Sequence, residues 1–310
     1  MKDIQQLFEV FILENEFSRK LRPETLRGYR QVFTLFIKLL PDIQVNDLNA
    51  ATIVSFFKVL QERKRLVGKG RVKNGVKKST IVTYRNKLHA FFDWLERNKH
   101  ISKNPFSDLK YPSVNYDDKQ FLKKEQVEKI FTAIYLHHNG NLLILKRNIA
   151  LFNILLFCGL RREEVLSLQV RDIDLGRKTL TVRADTSKSG ITRYVPLSSI
   201  VATAIRDYLV QRRNYSTPNF LVSSVEDRPF SFDGLKHLVV KLNNSSGVRF
   251  HLHQFRHTFA INFLKQSNNI FKLKELLGHK DIRMTAVYLR HMPLDEMRMD
   301  VERMSIDQLI

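Results

Sequence analysis

The chain has 310 residues, of which 43% are hydrophobic and 27% are charged, so we expect folded domains rather than a disordered chain. Lysine and arginine total 52 against 31 aspartate and glutamate residues, and the net charge of +21 favours nucleic acid as the partner. There is no apolar run of about 18 residues, no signal-peptide pattern and only one cysteine, Cys158. The sequence therefore excludes a membrane-spanning helix and a disulfide framework, and it fits a reducing cytoplasm.

Apolar residues at helical spacing predict four helices in the first 110 residues. Pro23 suits the first position of the second helix, while Asn49 and Ser79 are candidate N-caps of the third and fourth. Four such helices predict a small bundle with one core. The residues expected to face inward include Ile4, Leu7, Phe8, Phe11, Ile12, Leu26, Tyr29, Val32, Phe33, Phe36, Ile37, Leu40, Ile53, Phe56, Phe57, Leu60, Ile81, Tyr84, Leu88, Phe91, Phe92 and Leu95.

A basic segment, residues 63–78, separates the third and fourth predicted helices and holds three glycines but no acidic residue. It is either a flexible, solvated loop or a loop that follows a DNA backbone, and the charge density favours DNA. Its cations are Arg63, Lys64, Arg65, Lys69, Arg71, Lys73, Lys77 and Lys78.

Turn-forming residues after position 104 predict a boundary between two domains. We expect a first domain at residues 1–112, a linker at 113–120, a second domain at 121–292 and a separate C-terminal helix at 293–310. The second domain is expected to begin with a helix near Phe121, followed by an apolar helix at 149–158, strands at 179–184 and 192–196, and helices from Ala202 onward.

No single motif in the second domain is specific enough to identify its function. The sequence has no phosphate-binding glycine loop of the GxxxxGK[ST] type. His253 and His257 have the spacing of a helical zinc pair, but no HExxH glutamate lies between them. We therefore expect neither a metal nor another cofactor.

Four segments together form a stronger pattern: GLRREE at 159–164, TSKSGITRYVPL at 186–197, HLHQFRHTFA at 251–260 and LLGHKDIRMTAVYL at 276–289. In order and spacing they resemble the tyrosine recombinase (phage integrase) family, specifically its simple, Xer-like members without an arm-binding domain. The resemblance implies a mainly α fold with a small β-sheet in the C-terminal domain. It implies an N-terminal four-helix core-binding bundle and a mixed α+β catalytic domain.

The resemblance also assigns roles to individual residues. Glu164 would support the active site from behind, and Phe255, where the family usually has leucine, would be a matter of packing. His257 is interpreted as an ordinary packing or hydrogen-bonding residue. The implied catalytic residues are Arg161, Lys188, His253, Arg256, His279 and Tyr288.

These residue types suit the cleavage of a phosphodiester. Two guanidiniums can bind the non-bridging oxygens, where negative charge builds up in the transition state. Tyr288 would supply the nucleophile, Lys188 the proton for the 5′ oxygen, and His253 acid–base catalysis. His279 would hydrogen-bond the phosphate. Any one of these residues alone would usually be structural or solvated, so the prediction depends on their combination.

The predicted function is site-specific recombination of double-stranded DNA through a 3′-phosphotyrosine and a Holliday junction, by a tetramer on two DNA sites. We expect the recombinase to act in DNA integration or in dimer resolution, with accessory proteins as possible partners. We expect it in the cytoplasm, associated with the nucleoid, and encoded by a bacterium or by its mobile elements. An enzyme of the type IB topoisomerase class and a catalytically silent DNA-binding protein are the alternatives.

Residues 293–310 carry an apolar stripe at helical spacing, which either packs on its own domain or docks onto a neighbouring subunit.

Overall fold

The computed structural model describes residues 3–68, 70–109, 121–212, 221–223 and 228–291. It divides into two compact units, Met1–Tyr116 and Asp117–Ile310. The predicted linker at 113–120 and the predicted C-terminal helix at 293–310 lie outside the described residues. No helix in the described part of the chain is long and apolar enough to cross a membrane.

The first unit contains the four predicted helices. Pro23 opens the second helix, and the Asn49 side chain caps the third by accepting a hydrogen bond from the backbone N–H of Thr52 at 3.1 Å. The Ser79 cap was wrong, because the fourth helix already begins at Lys78 and Ser79 lies inside its first turn. The elements are α1 (Ile4–Phe17), α2 (Pro23–Leu39), α3 (Ala50–Glu62), β1 (Lys64–Val67), β2 (Arg71–Asn74) and α4 (Lys78–Arg97).

Aromatic rings fill the core of this bundle. Phe8 of α1 stacks on Phe33 of α2 with ring centroids 3.8 Å apart. Phe36 of α2 is fully buried and meets Phe56 of α3 edge-on at 5.1 Å and Phe92 of α4 at 5.9 Å. Because one phenylalanine contacts rings from two other helices, the helical periodicities of the sequence converge on a single core.

The basic segment is a β-hairpin and not the loop expected from its composition. Strands β1 and β2 pair antiparallel, with Val67 opposite Arg71, and Gly68 and Gly70 take positive φ values in the turn between them. Leu66 of β1 and Val72 of β2 stand among the cations and lie opposite each other in the register, and this apolar cross-strand pair favours strand formation. Lys69 lies outside the described residues.

The second unit is mainly helical with one three-stranded antiparallel sheet, in the order β3-β4-β5. The two predicted strands are confirmed, whereas the two-residue β3 was missed. Its elements are α5 (Lys124–Leu136), α6 (Leu142–Phe157), α7 (Arg162–Leu166), β3 (Ile173–Asp174), β4 (Thr179–Val182), β5 (Arg193–Pro196), α8 (Ser199–Arg212), α9 (Phe232–Ser246), α10 (His253–Ser267), α11 (Ile270–Leu277) and α12 (Arg283–Ala286).

Helix α6 lies at the centre of this unit and packs against α8 and α10. It starts seven residues before the predicted position 149, where the Asn141 side chain accepts from the backbone N–H of Ile144 at 3.0 Å. Phe255 of α10 is fully buried and contacts Phe152 of α6 edge-on at 5.3 Å. The phenylalanine at this position therefore serves packing and holds the N-terminal half of α10 on the core.

Replacing Phe36 by alanine should lower the free energy of unfolding by about 3–5 kcal/mol, because the ring leaves a cavity among three helices. Chemical unfolding of the full chain followed by circular dichroism measures this. Phe17→Ala is the matched control, since that ring is 72% exposed and its loss should cost little. Equal losses for the two variants would contradict the assignment of the core.

Candidate active site

The turn between α6 and α7 positions the first arginine. Gly159 has a φ of +61°, and a Cβ there would lie 2.3 Å from the Phe259 ring of α10. Glycine is therefore required both by the backbone conformation and by the close approach of α10. The chain then reaches Arg161, the N-cap residue of α7, whose backbone N–H donates to Oε2 of Glu164 at 2.9 Å.

Glu164 is 1% exposed and binds two arginines. Its carboxylate accepts from Nη1 of Arg161 at 2.9 Å, and from Nη1 and Nη2 of Arg193 at 3.1 and 2.7 Å. Burial alone would raise the pKa of Glu164, but the hydrogen bonds and positive charges of Arg193 and Arg161 outweigh it and hold the pKa below its ordinary value. The buried carboxylate is thus ionised at neutral pH.

Arg193 of β5 connects the sheet to the C-terminal end of α11 by a hydrogen bond. Its Nε donates to the backbone carbonyl of Leu276 at 2.9 Å. Gly278, with a φ of +63°, lies against the guanidinium, and a Cβ at that position would come within 3.0 Å of Nη1. No role was predicted for Arg193 from the sequence, so its ion pair with Glu164 was missed.

Arg256 of α10 is 2% exposed, and its guanidinium donates to three acceptors. Nη1 donates to the carbonyl of Gly159 at 2.6 Å, and Nη2 donates to the carbonyl of Leu277 at 2.8 Å and to Nε2 of His279 at 2.9 Å. Burial lowers the pKa of Arg256 to about 9, and the charge of Arg161 acts in the same direction. The group remains protonated at neutral pH.

The contact with Arg256 determines the tautomer of His279. A guanidinium has no acceptor, so Nε2 of His279 must accept, and Nδ1 carries the proton. Nδ1 then donates to Oγ1 of the fully buried Thr285 at 2.8 Å. His279 therefore connects the second arginine to α12, immediately before the segment that carries Tyr288.

Tyr288 is 2% exposed, and its hydroxyl lies 2.9 Å from Nδ1 of His257. Burial raises the pKa of the Tyr288 phenol, and the positive charges of Arg256 and Arg161 offset this only in part. The phenol is consequently protonated at neutral pH, and both arginines act on it electrostatically.

Two of the predicted catalytic residues lie at the surface. Lys188 is exposed in the turn after β4, and among the described residues no hydrogen bond joins it to the arginines or to Tyr288. His253 is exposed at the start of α10, with its ring centroid 4.4 Å from that of His257. No group of three or more possible metal ligands occurs in the described parts of the chain.

The hydrogen-bond partner of His257, the hydroxyl of Tyr288, was not predicted, although His257 was interpreted as a packing or hydrogen-bonding residue. Its position one helical turn after His253 was the available signal, since residues four apart lie on one face of a helix. The long-range contact with Tyr288 could not be inferred from that spacing.

The predicted DNA-binding cations belong to the other unit, at or beside the β1–β2 hairpin. Arg65 donates from Nε to the carbonyl of Gly75 at 2.7 Å, which supports the base of the hairpin. Exposed members include Lys64, Arg71, Lys73, Lys77 and Lys78.

Comparison with known proteins identifies the family of this chain. The model of the phage integrase family matches residues 120–294. The tyrosine recombinase XerC of Bacillus pumilus is 26% identical over 307 residues, covering 96% of this chain and 95% of that protein. XerC of Oceanobacillus iheyensis is 25% identical over 313 residues, with coverage of 96% and 95%.

Solved structures share the fold. The Tn1549 transposon integrase in complex with transposon right end DNA has a TM-score of 0.78 at 22% identity, covering 97% of this chain and 99% of that one. The XerH recombinase bound to palindromic difH has a TM-score of 0.71 at 18% identity, with coverage of 92% and 80%. The chain therefore belongs to the phage integrase family and is a tyrosine recombinase, an enzyme of site-specific DNA recombination.

Proposed function

We propose that this chain cleaves and rejoins double-stranded DNA through a 3′-phosphotyrosine at Tyr288 and exchanges strands through a Holliday junction. One observation supports this most directly: the Tyr288 hydroxyl lies in a buried cluster where Arg161 and Arg256 act on it. A phenol within electrostatic range of two guanidiniums combines a nucleophile with groups that can bind the phosphate in phosphoryl transfer.

The charge of the cluster suits a phosphodiester. Arg161, Arg193 and Arg256 contribute three positive charges against the single negative charge of Glu164, which leaves an excess of about two. Attack on the phosphate adds negative charge to its non-bridging oxygens. Preorganised donors of this kind contribute roughly 100- to 1000-fold each to the rate. Arg161 and Arg256 would bind the oxygens, and Arg193 would position them through Glu164.

The remaining roles follow from position. Lys188 is exposed in its hairpin turn, so that it can reach the 5′ oxygen of a bound strand and donate its proton. His279 holds Arg256 in the orientation that phosphate binding needs. The phosphotyrosine conserves the energy of the broken bond for rejoining, so the reaction needs no ATP. The arginines neutralise the charge on the phosphate, so the reaction needs no metal.

Access to the nucleophile requires movement. Because the Tyr288 ring is 2% exposed, a phosphate reaches its hydroxyl only after the segment that follows α12 has shifted. DNA binding would supply the free energy for this step, which would keep the enzyme from cleaving non-cognate DNA.

The proposed function also includes an oligomeric state and a cellular location. DNA is the partner, and four copies would act on two sites in the bacterial cytoplasm, on the nucleoid, with residues 293–310 docking onto a neighbouring subunit. The family assignment and the arrangement around Tyr288 favour this over a silent DNA-binding protein, and the recombinase relatives favour it over a topoisomerase.

Tyr288→Phe should abolish covalent attachment to a suicide DNA substrate nicked near the cleavage point. The variant lacks only the hydroxyl, so its DNA affinity should stay within about twofold of wild type. Denaturing gel electrophoresis of labelled DNA measures the complex, and Tyr194→Phe, at an exposed tyrosine of β5, is the control. A covalent complex formed by Tyr288→Phe would refute the proposal.

Replacing Lys64, Arg71 and Lys73 by glutamine should weaken DNA binding equally on all sequences. If each contacts one phosphate, the slope of log K against log salt should fall in magnitude by about 2–3. Fluorescence anisotropy across salt concentrations measures this. The control replaces three exposed cations of the second unit, Lys124, Lys129 and Arg177. An unchanged slope for the hairpin variant would remove the hairpin from the DNA interface.

A further inference from the structure

His257 has a fixed position next to the nucleophile. Its Nδ1 lies 2.9 Å from the Tyr288 hydroxyl, and both side chains are nearly fully buried, at 6% and 2% exposure. We propose that His257 is a catalytic residue that accepts the phenol proton of Tyr288 when the phosphotyrosine forms and returns it when the DNA is rejoined. This inference rests on the proposed function.

The neighbours of His257 on α10 hold it in place. Arg256, directly before it, is bound to the carbonyls of Gly159 and Leu277. Thr258, directly after it, accepts a hydrogen bond from the backbone N–H of Leu122 at 2.8 Å. With both adjacent residues anchored to other parts of the unit, the imidazole is preorganised toward Tyr288, as a proton acceptor must be.

Proton transfer needs the tautomer in which Nδ1 of His257 accepts the hydrogen bond from the Tyr288 hydroxyl. Burial raises the pKa of the Tyr288 phenol, so the hydroxyl carries its proton at neutral pH and can donate it to Nδ1. Among the described residues, the groups near this pair include His253 on α10, whose ring centroid lies 4.4 Å from that of His257. They also include Arg256 and Arg161, whose positive charges favour the phenolate of Tyr288. A neutral imidazole has one ring nitrogen with a free lone pair, so it can accept the phenol proton.

The step balances in atoms and charge. The O–H bond of Tyr288 breaks, its electron pair forms the bond to phosphorus, and the proton moves to Nδ1 of His257. The bond from phosphorus to the 5′ oxygen breaks, and that oxygen takes a proton from Lys188. Rejoining reverses each transfer. His257 thus serves the nucleophile, and Lys188 serves the leaving group.

This division can be tested with two suicide substrates that differ in one atom, the bridging 5′ oxygen or a sulfur in its place. A thiolate leaves without protonation because its pKa is far below that of an alcohol. Lys188→Ala should therefore be slow on the oxygen substrate and restored on the sulfur substrate. His257→Asn should be slowed by about 100-fold on both, since the phenol still has to lose its proton.

A pH profile separates proton transfer from mere positioning. On the sulfur substrate, the wild-type cleavage rate should fall at acidic pH as an imidazole becomes protonated, and His257→Asn should lose this dependence. His237→Asn, at an exposed histidine of α9, is the matched control and should behave as wild type. Thermal unfolding and DNA affinity establish that each variant is folded, and His257→Gln replaces the asparagine variant if that one is not.

The outcomes are distinct. Three results with a folded His257 variant would overturn the inference and leave the proposed function intact. The variant could cleave at the wild-type rate, its rate could be restored on the sulfur substrate, or its rate could still fall at acidic pH as in the wild type. Absence of any covalent complex with wild-type protein on its cognate site would overturn the proposed function itself. Equal slowing on both substrates with loss of the acidic limb supports His257 as the proton acceptor.

Discussion

The buried carboxylate of Glu164 is the interaction on which the arrangement of the active site depends. It binds Arg161 from its own helix and Arg193 from β5, at distances of 2.7 to 3.1 Å. A carboxylate at 1% exposure is stable only when its charge is compensated, and here two guanidiniums compensate it. Removing one partner of such a pair leaves an unpaired buried charge, at a cost of about 3–5 kcal/mol.

A network of hydrogen bonds extends from Glu164 through the site. Arg193, bound to Glu164, also donates to the carbonyl of Leu276 at the end of α11, and Arg256 donates to the carbonyl of Leu277 and to His279. Arg256 further donates to the carbonyl of Gly159, two residues before Arg161. Arg193 and Arg256 are therefore each fixed by contacts on both sides, and His279 links Arg256 to Thr285, three residues before Tyr288. The site is preorganised because no member can turn without breaking a bond to the next.

The core of the helical bundle and most residues of the active site could be predicted from the sequence. Helical periodicity placed the phenylalanines of the bundle, and motif order pointed to Arg161, Glu164, Arg256, His279 and Tyr288, which the structure brings together. Periodicity failed for the basic hairpin, where glycines and lysines suggested a loop while the strand pairing comes from cross-strand partners. It failed for Ser79 because the helix begins at Lys78, two residues earlier than a cap at Ser79 implies. The roles of Arg193 and His257 depend on contacts 29 and 31 residues away, which local spacing does not encode.

The most direct test of Glu164 as the organising residue is a comparison of Glu164→Gln with Glu163→Gln. The carboxylate of Glu163 is exposed and pairs with its neighbour Arg162 on the surface. Unfolding free energy and single-turnover cleavage of a suicide substrate are measured for both. Glu164→Gln should lose about 3 kcal/mol or more and cleave about 100-fold more slowly, while Glu163→Gln stays near wild type. Because the folded-state pKa of Glu164 is lowered, its contribution to stability is present above about pH 4.3 and is lost as pH falls further, so the two variants should converge in acid. Wild-type stability and cleavage in Glu164→Gln would contradict the central role of this carboxylate.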